Sequence, residues 1–228
     1  MNHNLLSLLQ LADPALPIGG YAHSSGLETY VQLKLVKDIS TAREFIIQML
    51  SQNLRYTDAC LVSLAHDAVV QNNWQQVELL DEECTAVKLP AEIRMASMKL
   101  GIRLLKNFQP LCKNEMTDKY LQFIRAQKLS GHYCIAFGMV AAIMNIDKGD
   151  ALTGFYYNAA AGMVTNSVKL IPLGQQEGQQ LLFSLQPLIK KLVAGSLVPD
   201  KACIGMACAG FDIRAMQHEQ LYSRLYMS

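Results

Sequence analysis

With 228 residues, twenty basic and nineteen acidic side chains and a net charge of +1, the chain has no global field to gather DNA, RNA or an anionic membrane, so neither is an expected partner. A single core at this length buries about 70% of the extended-chain surface, so no disulfide or metal staple is required. Hydrophobic residues make up 51% of the chain and charged ones only 17%, which supplies more apolar faces than one core uses and predicts protein partners.

In chain order, the first element is the apolar helix in MNHNLLSLLQLADP, which lacks the basic leader of a signal peptide and breaks at Pro14. The stretch ADPALPIGGYAHSSGLE, residues 12–28, forms a corner. Pro14 and Pro17 fix φ near −65°, Gly19 and Gly20 can take positive φ, and a helix launches at Ser24 or Ser25 with Glu28 favouring its N-terminal dipole. Either this is a structural corner alone, or it holds Tyr21 and His23 in fixed positions at a surface or seam. In TAREFIIQMLSQNLRYTDACLVSLAHDAVV, Thr41 reads as an N-cap with Glu44 at capping-box spacing, followed by apolar positions at helical intervals. NWQQVELLDEECTAVKL is a second amphipathic element, and Pro90 suits the first turn of the next.

From Pro90 to Phe108, Ile93, Leu100 and Leu104 share an apolar arc, while Glu92, Lys99, Arg103 and Lys106 share a polar one. Arg94 leaves that solvent strip and falls beside Ser97, Gly101 and Leu105, where a small residue admits another backbone closely. A short helix near Glu115–Ala126 follows. The stretches Ser130–Ile146 and Ala151–Val168 lack charges but carry Gly, Asn, Ser and Thr, and the turn DKGD lies between them. They read as an antiparallel pair of buried helices and not as membrane spans. Gly138, Gly154, Gly162 and nearby alanines imply close helix packing, either inside the fold or across a dimer seam. In EGQQLLFSLQPLIKKLVAG, Pro187 kinks a helix or marks a first turn. At the end, Phe211, Ala215, His218, Tyr222 and Leu225 align on one helical stripe. That stripe docks either on its own core or on another subunit.

With almost no period-2 alternation, no internal repeat and no linker, the expectation is an all-α single domain over residues 1–228. It is a helical bundle with a central pair of long apolar helices, the corner at 12–28 and a partner-binding C-terminal tail from about residue 211 to 228.

Signals for self-contained chemistry are missing. Neither GxGxxG nor GxxxxGK[ST] occurs, and HEQLY at His218–Tyr222 lacks the second histidine of a zinc hydrolase. Cys60, Cys84, Cys112, Cys134, Cys203 and Cys208 are scattered, as in a reducing, cytoplasmic setting. The two in CIGMAC would lie about 140° apart on a helix, unsuited to joint chelation, and read as buried core thiols. His23, His66, His132 and His218 coexist with serines and aspartates, but no Ser elbow of the G-x-S-x-G kind accompanies them, so no catalytic residues are assigned.

Four segments together resemble the urease accessory protein UreF family over nearly the whole chain: LLQLADPALPIGGYAHSSGLE, RMASMKLGIRLL, GHYCIAFG with GFYYNAAAGMVTNSVKLIPLGQQEGQ, and FDIRAMQHEQLYSRLYMS. The resemblance implies an all-helical, non-catalytic accessory protein that dimerises and binds a UreD-type protein, called UreH in some organisms. It further implies recruitment and regulation of the nickel-carrying GTPase UreG, docking on the urease apoprotein and support of nickel insertion. No cofactor is then bound stably, and nickel belongs to the wider complex, with transit through it open. Two rival readings are a freestanding homodimeric helical adaptor unrelated to urease and a small helical enzyme. The whole-length match speaks against both.

By that resemblance, Pro14, Pro17, Gly19, Gly20 and Gly26 shape the corner, which presents Tyr21, His23 and Glu28. Arg94, Ser97 and Gly101 match the middle motif, and His132, Tyr133 and Gly138 the central one. Lys169, Gly174 and Gln175 fall on the side expected to face the GTPase, and Phe211, His218, Glu219, Tyr222, Ser223, Arg224 and Leu225 on the partner-binding tail. Cys134 stands where the family often has proline, Lys169 where it often has arginine, and Gln217 and Met227 replace tail arginines. Losing two guanidinium forks makes the implied tail contact more apolar. Imidazole suits nickel, but no nickel role attaches to His23, His132 or His218, and the metal ligands stay unknown.

Overall fold

The helical periods of the sequence resolve, in a computed structural model, into twelve α-helices among the described residues, which are 4–20, 23–24, 26–206, 208–221 and 224–225. They are α1 (Leu5–Leu11), α2 (Leu27–Gln32), α3 (Ile39–Gln48), α4 (Asp58–Val70), α5 (Trp74–Val87), α6 (Ala91–Phe108), α7 (Glu115–Arg125), α8 (Tyr133–Ile143), α9 (Lys148–Leu170), α10 (Gln175–Ser184), α11 (Gln186–Ser196) and α12 (Ala209–His218). A π-helical segment, Met49–Leu54, extends α3, and a 3-10 turn, Lys201–Cys203, precedes α12. The fold is all-α, and the described residues form no strand.

Polar side chains set several helix starts by satisfying orphan N–H groups. Asp38 caps α3, accepting from the Thr41 N–H at 2.9 Å, while the Thr41 hydroxyl accepts from the Asp38 N–H at 3.1 Å. Thr41 is therefore the third helical residue and not the cap, and the capping box involves Asp38 in place of Glu44. Asn73, Asn114 and Asp147 cap α5, α7 and α9 in the same manner. Pro90 caps α6, and Pro187 lies in the first turn of α11, so of the two readings of that stretch the first turn holds and the run is two helices, α10 and α11.

The core centres on α8, where nine of eleven residues, Cys134 to Ala142, are buried. Its most extensive neighbour is α4, with α6 on another side. Gly138 permits this approach, because a Cβ there would lie 2.4 Å from the Val62 carbonyl oxygen. Helix α8 is shorter than the apolar run predicts, since Gly131 at φ 80° precedes it and Asn145 at φ 55° follows it. Helix α9, 23 residues long, meets it through aromatic rings: Phe155 lies 5.2 Å from Phe137 and 5.9 Å from Tyr133, centroid to centroid. The central packing is thus α8 chiefly against α4, with α9 alongside. Gly154 receives Leu8 and Ala12 of the first helical segment, so the small residues at 138 and 154 serve packing within the chain. Among the described residues, no helix is long and apolar enough to cross a membrane.

Candidate functional site: a cleft between corner, central helices and tail

The corner is tied to α6 by a contact the polar-arc reading does not foresee. Arg103 donates to the Ile18 carbonyl at 2.9 Å, and its guanidinium covers Gly19, which adopts φ 89°. Arg103 therefore belongs to the corner as well as to the solvent strip. Pro14 and Pro17 are exposed, whereas Ile18 is buried. Helix α2 starts at Leu27, not at the serines, and its N-cap is Gly26 at φ 80°. A Cβ there would meet the Phe211 ring at 3.3 Å, so both backbone conformation and space favour glycine. Tyr21 and Ser25 lie outside the described residues.

Glu28 turns inward, against the expectation that the corner presents it, and is 4% exposed. Its Oε2 lies 3.2 Å from His218 Nε2, and its Oε1 accepts from the Leu225 N–H at 2.8 Å. On the other side of the imidazole, Glu92 Oε2 lies 2.8 Å from His218 Nδ1, and Glu92 Oε1 accepts from the Arg224 guanidinium at 2.6 Å. An ionised carboxylate only accepts, so both His218 contacts are hydrogen bonds when both ring nitrogens donate. Glu92 consequently leaves the polar arc to hold the tail. Phe211, Ala215 and His218 are buried, so the inner half of the tail stripe docks on its own chain, against α2 and α6. Leu225 is 78% exposed, and Ile213 and Met216 face outward, as do Leu89 just before α6 and Met95 within it. Glu219 is exposed, with its carboxylate 3.4 Å from the Glu92 N–H. Tyr222, Ser223 and Met227 lie outside the described residues, and Gln217 accepts from Arg214 at 2.7 Å.

Beside the cleft, the middle and central motifs meet, a pairing that the sequence reading left open. Arg94 reaches back to donate to the Lys88 carbonyl at 2.7 Å and the Leu89 carbonyl at 3.0 Å, closing the end of α5. Gly101 lies against the backbone of residues 131–133: a Cβ on it would come 2.2 Å from the Gly131 oxygen and 2.7 Å from the Tyr133 nitrogen. The backbone that Gly101 admits is thus the chain's own. Buried His132 has Nδ1 3.2 Å from the Ser97 hydroxyl and Nε2 2.9 Å from the Thr85 hydroxyl, while Ser97 also accepts from the Tyr133 N–H at 3.3 Å.

Two polar centres escape the motif reading. Asp81, 1% exposed, accepts from the Tyr120 hydroxyl and from the N–H groups of Ser130 at 2.6 Å, Gly131 at 2.9 Å and His132 at 3.3 Å. Burial, reinforced by this carboxylate, pushes the Tyr120 phenol well up. Lys88 pairs with Asp58 at 2.8 Å in a setting that is 7% and 16% exposed. Burial raises the Asp58 carboxyl, yet the Lys88 charge, hydrogen bonds from Lys88 and Thr57, and His132 together hold the group below its ordinary value.

These elements enclose a cleft of about 700 Å³, with Asp58 and Lys88 among its lining residues. It gathers Pro14, Gly20 and His23 from the corner, Ser97 and Tyr133 from the central motifs, Lys169 and Gly162 from α9, and Phe211 from the tail. Burial pushes the His23 imidazole down, and Lys99 and Arg103 act in the same sense against Glu92. Gly174 and Gln175 do not join the cleft: they sit exposed at the start of α10, where the Gly174 N–H donates to Glu177 at 2.8 Å. Cys203 and Cys208 are half-buried and not core thiols, because the 3-10 turn ends before Gly205 at φ 72° and no helix carries both. Among the described residues, no group of three or more His, Cys, Asp or Glu side chains could hold a metal ion.

Residues 36–186 match the family model described as UreF. A urease accessory protein UreF of Actinobacillus pleuropneumoniae serotype 5b is 46% identical over 222 residues, covering 97% of this chain and 98% of the relative. One from Haemophilus influenzae strain Rd is 46% identical over 225 residues, covering 99% and 96%, and one from a Bacillus species, strain TB-90, is 32% identical over 226 residues, covering 99% and 100%. The alignments to these relatives extend beyond the family model at both ends, taking in corner and tail. The chain therefore belongs to the UreF family of urease accessory proteins, an accessory and not a catalytic component.

Proposed function

We propose that the chain is a cytoplasmic chaperone of urease maturation. Working as a homodimer, it binds a UreD-type or UreH-type accessory protein and helps recruit and regulate a UreG-type GTPase. The assembly then supports nickel insertion into the urease apoprotein. Nickel is cargo of the assembly and is not held stably by this chain. The observation that carries the reading is 46% identity to a urease accessory protein across 97% of the chain. The outward tail residues Ile213, Met216 and Leu225, with Leu89 and Met95 nearby, offer an apolar contact for the UreD-type partner, which suits a tail with fewer arginines than the family pattern. The exposed Lys169, Gly174 and Gln175 are available to the GTPase.

The test is reconstitution of nickel-dependent urease activation from purified components, with the chain present, absent, or truncated after Gln220. Cutting before Phe211 would remove Phe211, Ala215 and His218 from the core, so the shorter truncation is the informative one. Activation is expected only with the full chain, with reduced partner assembly for the truncated one. Equal activation without the chain would contradict the reading.

A further inference from the structure

Cys84 and Cys134 are both fully buried, and their sulfurs are 3.5 Å apart, one on α5 and the other on α8. They lie fifty positions apart in sequence, so the contact is made by the fold and not by a local motif. The pair has polar company on one side. Lys88 is one turn beyond Cys84 on the α5 side, and His132, hydrogen-bonded to Thr85, precedes α8. Burial opposes ionisation of Cys84, but hydrogen bonding with Cys134 and His132 and the Lys88 ammonium outweigh it and draw the thiol down. Cys134, buried against that sulfur, is pushed well up. One sulfur is thus disposed to act as nucleophile and the other to keep its proton. Lys88, which caps the end of α5, and Tyr133, which precedes Cys134 on α8, line the 700 Å³ cleft.

We propose that Cys84 and Cys134 are a peroxide-responsive dithiol that closes to a reversible disulfide joining α5 to α8. The Cys84 thiolate attacks one oxygen of hydrogen peroxide, the O–O bond breaks, and the departing hydroxide takes up a proton to leave as water. Cys84 is then a sulfenic acid. The Cys134 sulfur attacks the Cys84 sulfur, the S–O bond breaks, and the hydroxyl leaves with the Cys134 proton as a second water. Two thiols and one peroxide thus give one disulfide and two waters, with the sulfurs oxidised and the peroxide reduced. The cross-link fixes α5 to the start of α8, across the same seam that Asp81 holds by hydrogen bonds.

The full chain, purified in its reduced form, is treated with hydrogen peroxide at low protein concentration, alkylated under denaturing conditions and mapped as non-reduced peptides. The expected product is an intrachain species lighter by two hydrogens, with the Cys84 peptide joined to the Cys134 peptide and released by dithiothreitol. Its thermal midpoint should rise on oxidation and return on reduction, a shift absent from Cys84→Ala and Cys134→Ala. The peptide map of the unsubstituted chain decides the matter even if either variant folds poorly. Full alkylation of Cys84 and Cys134 after the half-buried Cys112, Cys203 and Cys208 have been oxidised would overturn the proposal, as would a cross-link joining any other pair.

Discussion

Asp81 shows how much organisation one side chain can carry. Its carboxylate gathers three consecutive backbone N–H groups, at residues 130–132, and the Tyr120 hydroxyl, and so fixes the turn that delivers His132 to Ser97 and Thr85. Asp81→Ala would leave those donors buried without an acceptor, at about 1–3 kcal/mol each, for a total loss of about 3 kcal/mol or more. Asp81→Asn keeps one oxygen and should lose less. Urea unfolding midpoints would order the three proteins as native, Asn, Ala; an Ala variant as stable as the native chain would contradict this role. The residue was accessible to sequence reasoning: Val77, Leu80, Asp81 and Cys84 occupy the same buried stripe of α5, and an acid in an apolar stripe demands donors. Which donors these are depends on a segment fifty residues away, which no local period reveals. Glu28 and Glu92 differ from expectation for the same reason, since their partners His218, Arg224 and Leu225 come from the opposite end of the chain.

At the scale of elements, helical period carried far, whereas the caps expected at Thr41 and at Ser24 or Ser25 fall instead to Asp38 and Gly26. The run from Pro90 to Phe108 is α6, Glu115 opens α7, and the departure of Arg94 from the solvent strip is real because it closes α5. Gly101 was legible as a place for close approach, though its neighbour is the chain's own 131–133 backbone. Since a Cβ there must displace backbone and not a flexible side chain, Gly101→Ala should destabilise by about 1–3 kcal/mol through overpacking. The opposite sign would be expected if helix propensity prevailed, because alanine is favoured over glycine by about 1 kcal/mol. A thermal midpoint that rises in the alanine variant would therefore refute the close contact. The π-helical segment at Met49–Leu54 and the interruption at Gly205 were not legible: a 3.6-residue period does not distinguish π from α winding, and the Gly205 N–H is bonded to the distant Tyr56 carbonyl. The length of α8 was overread for a related reason, since the apolar run continues past the turn residues that end the helix.

For the whole molecule, the tail joins two kinds of surface. Its inner side, Phe211, Ala215 and His218, completes the fold between α2 and α6, while Ile213, Met216 and Leu225 stay outward. The sequence exposed the stripe and the corner but not the cleft between them, because enclosure depends on how α9 and α6 face each other across the corner. The family resemblance supplied the biological setting that periodicity could not. The central claim is that the outer tail face is completed by a UreD-type protein while the inner face holds the chain together. Binding of a purified UreD-type partner to the full chain and to Ile213→Asp/Met216→Asp, measured beside circular dichroism and thermal unfolding, tests this most directly. The account predicts at least a tenfold loss of affinity, about 1.4 kcal/mol or more, with helicity and thermal midpoint unchanged. Undiminished binding by a folded double variant would contradict it.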